Sequence, residues 1–216
     1  MNIMMYKDFV LYSIIFSFMV VICIILSMAR YRIKRYSVKS NINIFKIIFS
    51  KTIKNNFKIY EVLERIKGHK RILANVKLPL NEKDILTLDF IVLHKKGIFI
   101  IKYKNINKKV IGNEDYKYWG AIDKRNLKSQ IDNPIIEARR ELISLDRALP
   151  GYNKYIKIFI VFGRKSNIKN IIVKNNSHIK LTKINSLVKD IEILEVDKSI
   201  VLTKEEIDYI YYKFKY

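Results

Sequence analysis

An uninterrupted apolar run near the N-terminus constrains this chain more than any other feature. The run extends from Phe9 to Ala29 and contains no charged side chain. As a helix rising about 1.5 Å per residue it would reach roughly 31 Å, which matches the hydrocarbon core of a bilayer. The sequence therefore predicts one transmembrane helix over residues 9–29, preceded by a short extracytoplasmic N-terminus over residues 1–8.

A cleaved signal peptide is the alternative interpretation of the same run. Signal peptides usually have an apolar stretch of about 7–15 residues after a positively charged N-terminal region. Here the run is longer, and the positive charge of Lys7 is offset by Asp8. Because Ser27-Met28-Ala29 would fit a cleavage site, the alternative stays open, but the features together favour a membrane anchor.

The charges that flank the run predict its orientation. Lys7 and Asp8 cancel before it, whereas four basic residues follow it closely: Arg30, Arg32, Lys34 and Arg35. Basic residues near a membrane span remain on the cytoplasmic side. We therefore expect a single-pass protein of the cell membrane with its C-terminal part in the cytoplasm.

The segment that follows the predicted span, residues 30–58, is basic and amphipathic. It contains nine Lys or Arg residues and no acidic residue, interleaved with Ile and Phe. Each basic residue close to anionic lipid adds about 1 kcal/mol of attraction. The pattern predicts a juxtamembrane segment on the surface of the inner leaflet, and a plain connecting helix or linker is the alternative.

Composition narrows the possible partners of the chain. Its 42 Lys and Arg residues exceed its 20 Asp and Glu residues, giving a net charge of +22. Such a charge favours polyanions, either DNA or RNA or anionic lipid. The chain is also rich in Lys, Ile and Asn together, a mixture that an AT-rich genome produces by itself, so basicity alone supports nucleic-acid binding weakly. The single cysteine, Cys23, lies in the apolar run, which excludes disulfides from the rest of the chain.

Residues 59–216 show the alternation of helices and strands that is typical of one mixed α/β domain. Apolar patterns and turn residues predict a helix over 59–67, strands over 71–78, 85–93 and 98–104, a helix over 133–150, strands over 156–162 and 171–174, and two closing helices. Asn133 suits the N-cap of the long helix and Pro134 its first position. Thr203 and Glu206 predict a capping box for the last helix.

Two neighbouring predicted strands contain charged residues that a buried sheet normally lacks. Asp89 lies inside the apolar strand over 85–93, where an unpaired carboxylate would be costly. The next strand ends in Lys102 and Lys104, which share a face because strand residues alternate. The tight turn at Gly97 would let Asp89 approach both. The pattern predicts one carboxylate and two ammonium groups at the open end of a hairpin, and a purely structural ion pair of Asp89 with either lysine is one interpretation.

The stretch from about Lys58 to Arg164 resembles the nuclease-related domain (NERD) family, which is similar to restriction-endonuclease-like nucleases. In those nucleases an Asp on one strand and a Glu-x-Lys motif on the next form the metal site. The resemblance implies that Asp89 holds the Asp position and Lys104 the Lys position, with Gly97-Ile98-Phe99 at the turn and strand entry. It also implies a mixed sheet in a restriction-endonuclease-like α/β core.

Further positions fit the family in order and spacing. They are a glycine, a tryptophan and the Asn-Pro start of a helix, at Gly112, Trp119 and Asn133-Pro134. A Gln that is common three residues after that Pro is Glu137 here. The first helix of the family carries Gly-Glu, whose best counterpart is Tyr60-Glu61, with Glu64 as the second choice.

One departure from the family bears on catalysis: the Glu of its Glu-x-Lys motif is Lys102 here. The resemblance implies Asp89, Lys104 and Glu61 as the catalytic residues, and the basic face of the domain is expected to bind phosphates through Lys102 and Lys104. Mg²⁺ is a hard cation that binds oxygen ligands, usually including one or two carboxylates. Because the ammonium group of Lys102 replaces one of these carboxylates, the sequence does not by itself predict a cofactor. Mg²⁺, bound by Asp89, is expected of an active enzyme.

The sequence thus predicts a membrane-anchored nuclease-related domain that is degenerate or weakly active and binds DNA or RNA phosphates without sequence preference. Two alternatives stay open. In the first, the chain is an active Mg²⁺-dependent nuclease in which Glu61, Glu64 or Glu137 supplies a relocated carboxylate. In the second, it is a scaffold or protein-interaction module at the inner leaflet.

Overall fold

The computed structural model describes residues 3–40, 42–79, 85–174, 178–194 and 201–215. The chain separates into two compact units, Met1–Ser50 and Lys51–Tyr216. The first unit contains helices α1 (Ile3–Ser40) and α2 (Ile44–Phe49), which contact each other. The second unit contains the remaining helices and strands.

Helix α1 contains the apolar run and continues beyond it. Its stretch Leu11–Ser40 is long and apolar enough to cross a membrane, and the most apolar window of that stretch is not buried within the protein. The helix continues through the basic residues after Ala29 because no Gly or Pro interrupts it. An apolar helix that could span a membrane is therefore present, as predicted.

The second unit is a mixed α/β domain, as predicted. Its helices are α3 (Lys51–Leu63), α4 (Pro134–Ala148), α5 (Leu187–Glu192) and α6 (Lys204–Lys215), with a short 3₁₀ helix at Asn153–Tyr155. Its strands are β1 (Lys70–Pro79), β2 (Ile85–His94), β3 (Gly97–Lys104), β4 (Lys109–Asn113), β5 (Tyr118–Ile122), β6 (Lys128–Asp132), β7 (Ile156–Phe162), β8 (Asn167–Ile172) and β9 (Ile179–Lys183).

The larger sheet brings the ends of several strands to one edge. Its order is β1-β2-β3-β7-β9, in which β1, β2 and β3 pair antiparallel and β3, β7 and β9 run parallel. The C-terminal ends of the three parallel strands therefore lie at one edge, together with the N-terminal end of β2. Helix α4 contacts β1, β2 and β7, α6 contacts β1 and β2, and α5 contacts β9 and α3. The smaller sheet has the order β6-β5-β4-β8.

The central strands of the larger sheet are buried on both faces, which confirms the predicted hairpin. On one face, Ile100 of β3 belongs to a continuous apolar core with Leu145 of α4. On the other face, Phe99 and Phe159 are fully buried, and their rings meet edge to face with centroids 5.8 Å apart. Burial on both faces explains why these strands are near-continuous apolar runs in the sequence.

The predicted helix caps are also present. The side chain of Asn133 accepts the backbone N–H of Ile135 at 2.9 Å, and Pro134 opens α4. At the start of α6, the N–H of Thr203 donates to Oε2 of Glu206 at 2.8 Å, and the N–H of Glu206 donates to Oγ1 of Thr203 at 3.2 Å. The caps fix where each helix begins, and hence which side chains of α4 face the sheet.

The presence of a glycine at position 112 opposite the ring of Trp119 has a steric explanation. Trp119, on β5, is 1 % exposed and donates its Nε1–H to the backbone carbonyl of Asn113 at 2.8 Å. A Cβ atom added to Gly112, on β4, would lie 2.4 Å from Cγ of the tryptophan. A larger residue at position 112 would therefore displace the ring, which explains why these two residue types occur together.

Some predicted boundaries were wrong. The helix predicted over residues 59–67 is α3, which begins at Lys51 and ends at Leu63. The strand predicted over 171–174 is β8, Asn167–Ile172. Strands β4, β5, β6 and β9 were not predicted, because five residues are too few for a distinct apolar pattern.

Candidate active site

The predicted carboxylate and lysines meet at the edge of the larger sheet where β3 ends and β2 begins. Backbone pairing between these two strands extends from the turn as far as Phe90 and Ile101. Immediately beyond, the backbone N–H of Tyr103 donates to Oδ2 of Asp89 at 3.4 Å. The carboxylate of Asp89 is therefore held against the lysine-bearing end of β3, as the hairpin predicts.

Two glutamates of α4 neutralise the two lysines of β3. Oε2 of Glu137 lies 3.1 Å from Nζ of Lys102 and 2.8 Å from Nζ of Lys104. Lys102 also pairs with Oε1 of Glu141. The interpretation that Asp89 pairs with a lysine is corrected by these contacts. Within the described part of the chain Asp89 forms no ion pair, because α4 supplies the partners instead.

Glu141 was not predicted from the sequence as a site residue, although its position within the apolar pattern of α4 indicates a buried carboxylate. It is 2 % exposed, and its Oε2 is buried with no hydrogen-bond partner in the described structure. Its position is three residues after Ala138 and four before Leu145, which places it inside the apolar stripe of α4. A glutamate at a core position of an amphipathic helix requires a buried cation, and Lys102 is that cation.

Burial and neighbouring charges move the pKa values at this edge in different directions. Burial raises the pKa of Asp89 against the opposing effect of its backbone hydrogen bond and the lysines. Burial likewise raises the pKa of Glu141, and Lys102 offsets only part of the effect. For Glu137, burial alone would raise the pKa, but Lys104 and Lys102 together lower it. Burial alone would lower the pKa of Lys102, but the two glutamates outweigh it and raise the pKa.

We call Asp89, Lys102, Lys104, Glu137 and Glu141 the carboxylate–lysine cluster. In the residues that the structure describes, no three Asp, Glu, His or Cys side chains are arranged to hold a metal ion. Instead, the ammonium of Lys102 contacts both α4 glutamates and takes the place of a cation between them. The residues present therefore do not fit a bound Mg²⁺ ion, which requires oxygen ligands without a competing ammonium group.

The structure places Glu61 on α3 and Glu64 in the turn directly after it, apart from the contacts of this cluster. Glu64 accepts a hydrogen bond from the hydroxyl of Tyr60 at 2.5 Å. Glu61 lines a cavity of about 370 Å³, which we call the basic cavity. Its lining residues are Lys58, Glu61, Val62, Arg65, Arg164, Ile184, Asn185 and Val188. A catalytic role for Glu61 stays a prediction, whereas Glu137 and Glu141 are the glutamates that reach the strand edge.

The fold and the site together define a nuclease-like domain: an acidic residue on one central strand, lysines on the next, and a covering helix that adds carboxylates. The model of the nuclease-related domain (NERD) family matches residues 51–173. The match includes more than half of the chain and all five residues of the carboxylate–lysine cluster, and the chain belongs to this family. Comparison with curated proteins gives no match.

Proposed function

We propose that this chain is a single-pass membrane protein whose cytoplasmic nuclease-related domain binds DNA or RNA phosphates without sequence preference and hydrolyses them weakly or not at all. One observation carries the proposal. The ammonium of Lys102 contacts Glu137 and Glu141 at the position that the family resemblance assigns to a metal-binding carboxylate. This site therefore has a lysine at the position where the related nucleases have a metal-binding carboxylate.

The electrostatics of the cluster oppose a divalent metal ion. At an effective dielectric constant of 20, two like unit charges about 4 Å apart repel by about 4 kcal/mol, and a divalent ion is repelled by about twice as much. A metal ion at this position would also have to displace Lys102, whose side chain is only 16 % exposed. Its ammonium group would then lose its contacts with Glu137 and Glu141. The raised pKa values of Asp89 and Glu141 favour protonation, which competes with metal binding.

The charge of the domain supports phosphate binding. Residues 59–216 contain 32 Lys or Arg residues and 19 Asp or Glu residues, a net charge of +13 that does not include the juxtamembrane segment. A surface of this charge attracts the phosphate backbone whatever its sequence. The juxtamembrane segment over 30–58 is proposed to contact anionic lipid separately.

Binding and cleavage are tested together on the full-length protein in nanodiscs of zwitterionic lipid. We expect binding to duplexes of unrelated sequence with equal affinity, and about six phosphate contacts would give a slope of log K against log salt near −5. With Mg²⁺ or Mn²⁺ we expect little or no cleavage of DNA or RNA. Absence of binding at low salt, with capture by anionic vesicles, would replace the proposal by the inner-leaflet scaffold.

A second candidate is an active Mg²⁺-dependent nuclease with relocated carboxylates, and the two α4 glutamates favour it because they reach the expected strand edge. The same cleavage assay separates the candidates. Robust cleavage that Asp89→Ala abolishes, while Asp146→Ala on the exposed face of α4 leaves it intact, would establish the active enzyme and contradict the proposal.

Membrane topology is tested by a reporter fused after Tyr216. We expect a cytoplasmic reporter signal, because four basic residues follow the apolar run directly. The protein should also remain with the membrane fraction after carbonate extraction. An extracytoplasmic signal would contradict the orientation, and release of the protein by carbonate would contradict the anchor.

A further inference from the structure

The accessible positive charge near the carboxylate–lysine cluster lies in the basic cavity and not on the two lysines that the sequence assigned to phosphate. Lys102 and Lys104 are already paired with Glu137, and Lys102 also with Glu141. In contrast, the cations of the basic cavity form no ion pair with any residue that the structure describes; they are Lys58, Arg65 and Arg164.

The basic cavity is close in structure to the cluster. Lys104 pairs with Phe162 at the parallel ends of β3 and β7, and the N–H of Gly163 donates to the carbonyl of Lys104 at 3.3 Å. Arg164 is the next residue. Arg164 of the cavity is therefore two residues beyond the end of β7, the strand that lies beside Lys104 at the same edge of the sheet.

The size and lining of the cavity suit a small ligand. Its volume of about 370 Å³ lies within the roughly 300–1,000 Å³ of typical ligand sites. Val62, Ile184 and Val188 form apolar walls that would contact a sugar or a base. Asn185 adds an amide group that can hydrogen-bond a sugar hydroxyl.

The charge of the lining distinguishes two kinds of phosphate. Three cations and one carboxylate give a formal charge of +2. A phosphate monoester has a charge of about −1.5 to −2 at pH 7, whereas a diester within a strand has a single negative charge. Two guanidinium groups also offer paired donors to the oxygens of a monoester.

We propose that the basic cavity binds a phosphate monoester, namely the terminal phosphate of a nucleic-acid strand whose next residues pass the edge at Lys104. That the monoester belongs to a nucleic-acid strand rests on the proposed function, whereas the binding of a monoester rests on the cavity alone. A free nucleotide has the same terminal chemistry, so the experiment must separate the two sources.

The test uses the full-length protein in zwitterionic nanodiscs and fluorescence anisotropy with 12-nucleotide single strands. The strands have a 5′-phosphate, a 3′-phosphate or hydroxyl groups at both ends, and a nucleoside monophosphate is the competitor. We expect one phosphorylated strand to bind about tenfold more tightly than the hydroxyl strand. Arg164→Gln and Arg65→Gln should abolish this preference, so that each variant binds the three strands equally.

Arg125→Gln is the matched control, because Arg125 is an exposed arginine in the turn between β5 and β6. Equal binding of all three strands, with no competition by the nucleotide, would overturn the inference and leave the proposed function intact. Equal loss in Arg125→Gln and Arg164→Gln would overturn it as well. If no strand binds but the nucleotide binds in an Arg164-dependent manner, the monoester site stands and the proposed function fails.

Discussion

Lys102→Met is expected to destabilise the domain by about 3–5 kcal/mol, because it removes the cation that compensates the buried carboxylate of Glu141. Trp119 provides the measurement: it is the single tryptophan of the chain and is fully buried, so its fluorescence reports unfolding of this domain in urea. The double variant Lys102→Met/Glu141→Leu should recover most of the lost stability, since it removes both charges together.

Lys109→Met is the control for this prediction, because Lys109 is an exposed lysine on β4 and its replacement should change stability by no more than about 0.5 kcal/mol. If Lys102→Met were no more harmful than Lys109→Met, the ion pair with Glu141 would not hold α4 to the sheet. Failure of the double variant to recover would indicate that packing, and not the uncompensated charge, causes the loss.

The pH dependence of this loss has a definite sign. Burial raises the pKa of Glu141 above its ordinary value of 4.5 in the folded protein, and removing Lys102 removes the group that opposes the shift. Above pH 4.5 the folded state therefore holds more protons than the unfolded state, and stability falls as the pH rises. The penalty of Lys102→Met should be small near pH 4 and should grow toward pH 8. Glu137 behaves oppositely: its lowered pKa gives stability that is lost as the pH falls below 4.5.

The second large effect is expected from Lys102→Glu, which should convert the cluster into a divalent-cation site. Without metal the variant has four neighbouring carboxylates and should unfold at lower urea concentration than the wild type. At a metal concentration about 100 times its dissociation constant, Mg²⁺ or Mn²⁺ should stabilise the variant by about 2.7 kcal/mol. The wild type should show no such shift, because the ammonium of Lys102 competes with the metal.

Lys109→Glu makes the same change in charge away from the cluster and should not respond to metal. Calorimetry with Mn²⁺ gives an independent measure of binding by each protein. Stabilisation of the wild type by Mg²⁺ to the extent seen in Lys102→Glu would contradict the prediction. That result would mean that Asp89 and the α4 glutamates hold a metal despite Lys102, as the active-nuclease candidate requires.

How far the sequence predicts this site depends on the range of the contacts involved. The hairpin that places Asp89 beside the end of β3 is local in sequence, so alternation and one glycine turn suffice to predict it. The caps of α4 at Asn133 and Pro134 are local as well. The pairing of Lys102 with Glu141 joins residues 39 positions apart, and its geometry depends on how α4 crosses the sheet, which no local pattern contains.

The start of α3 and the basic cavity were also not predicted correctly from the sequence. The helix predicted to begin at Ile59 begins at Lys51, because residues 51–58 continue the basic and apolar pattern of the segment before them. The basic cavity could not be predicted at all, because it joins α3 to Arg164 and to the connection between β9 and α5. Only the pairing of parallel strands brings these distant segments together.

The length of α1 determines how deeply this chain can sit in a bilayer. Its 38 residues correspond to roughly 57 Å, whereas a bilayer with its headgroup layers is about 40–45 Å thick. The helix therefore cannot be wholly immersed when it lies along the membrane normal. In the proposed topology, a shift by one turn toward the outside would draw Arg30 and Arg32 into the edge of the hydrocarbon, where a charged side chain is unfavourable although it costs less than the roughly 2.5–3.5 kcal/mol found at the helix centre. In that topology the two arginines would limit outward sliding of the helix and set its position across the bilayer.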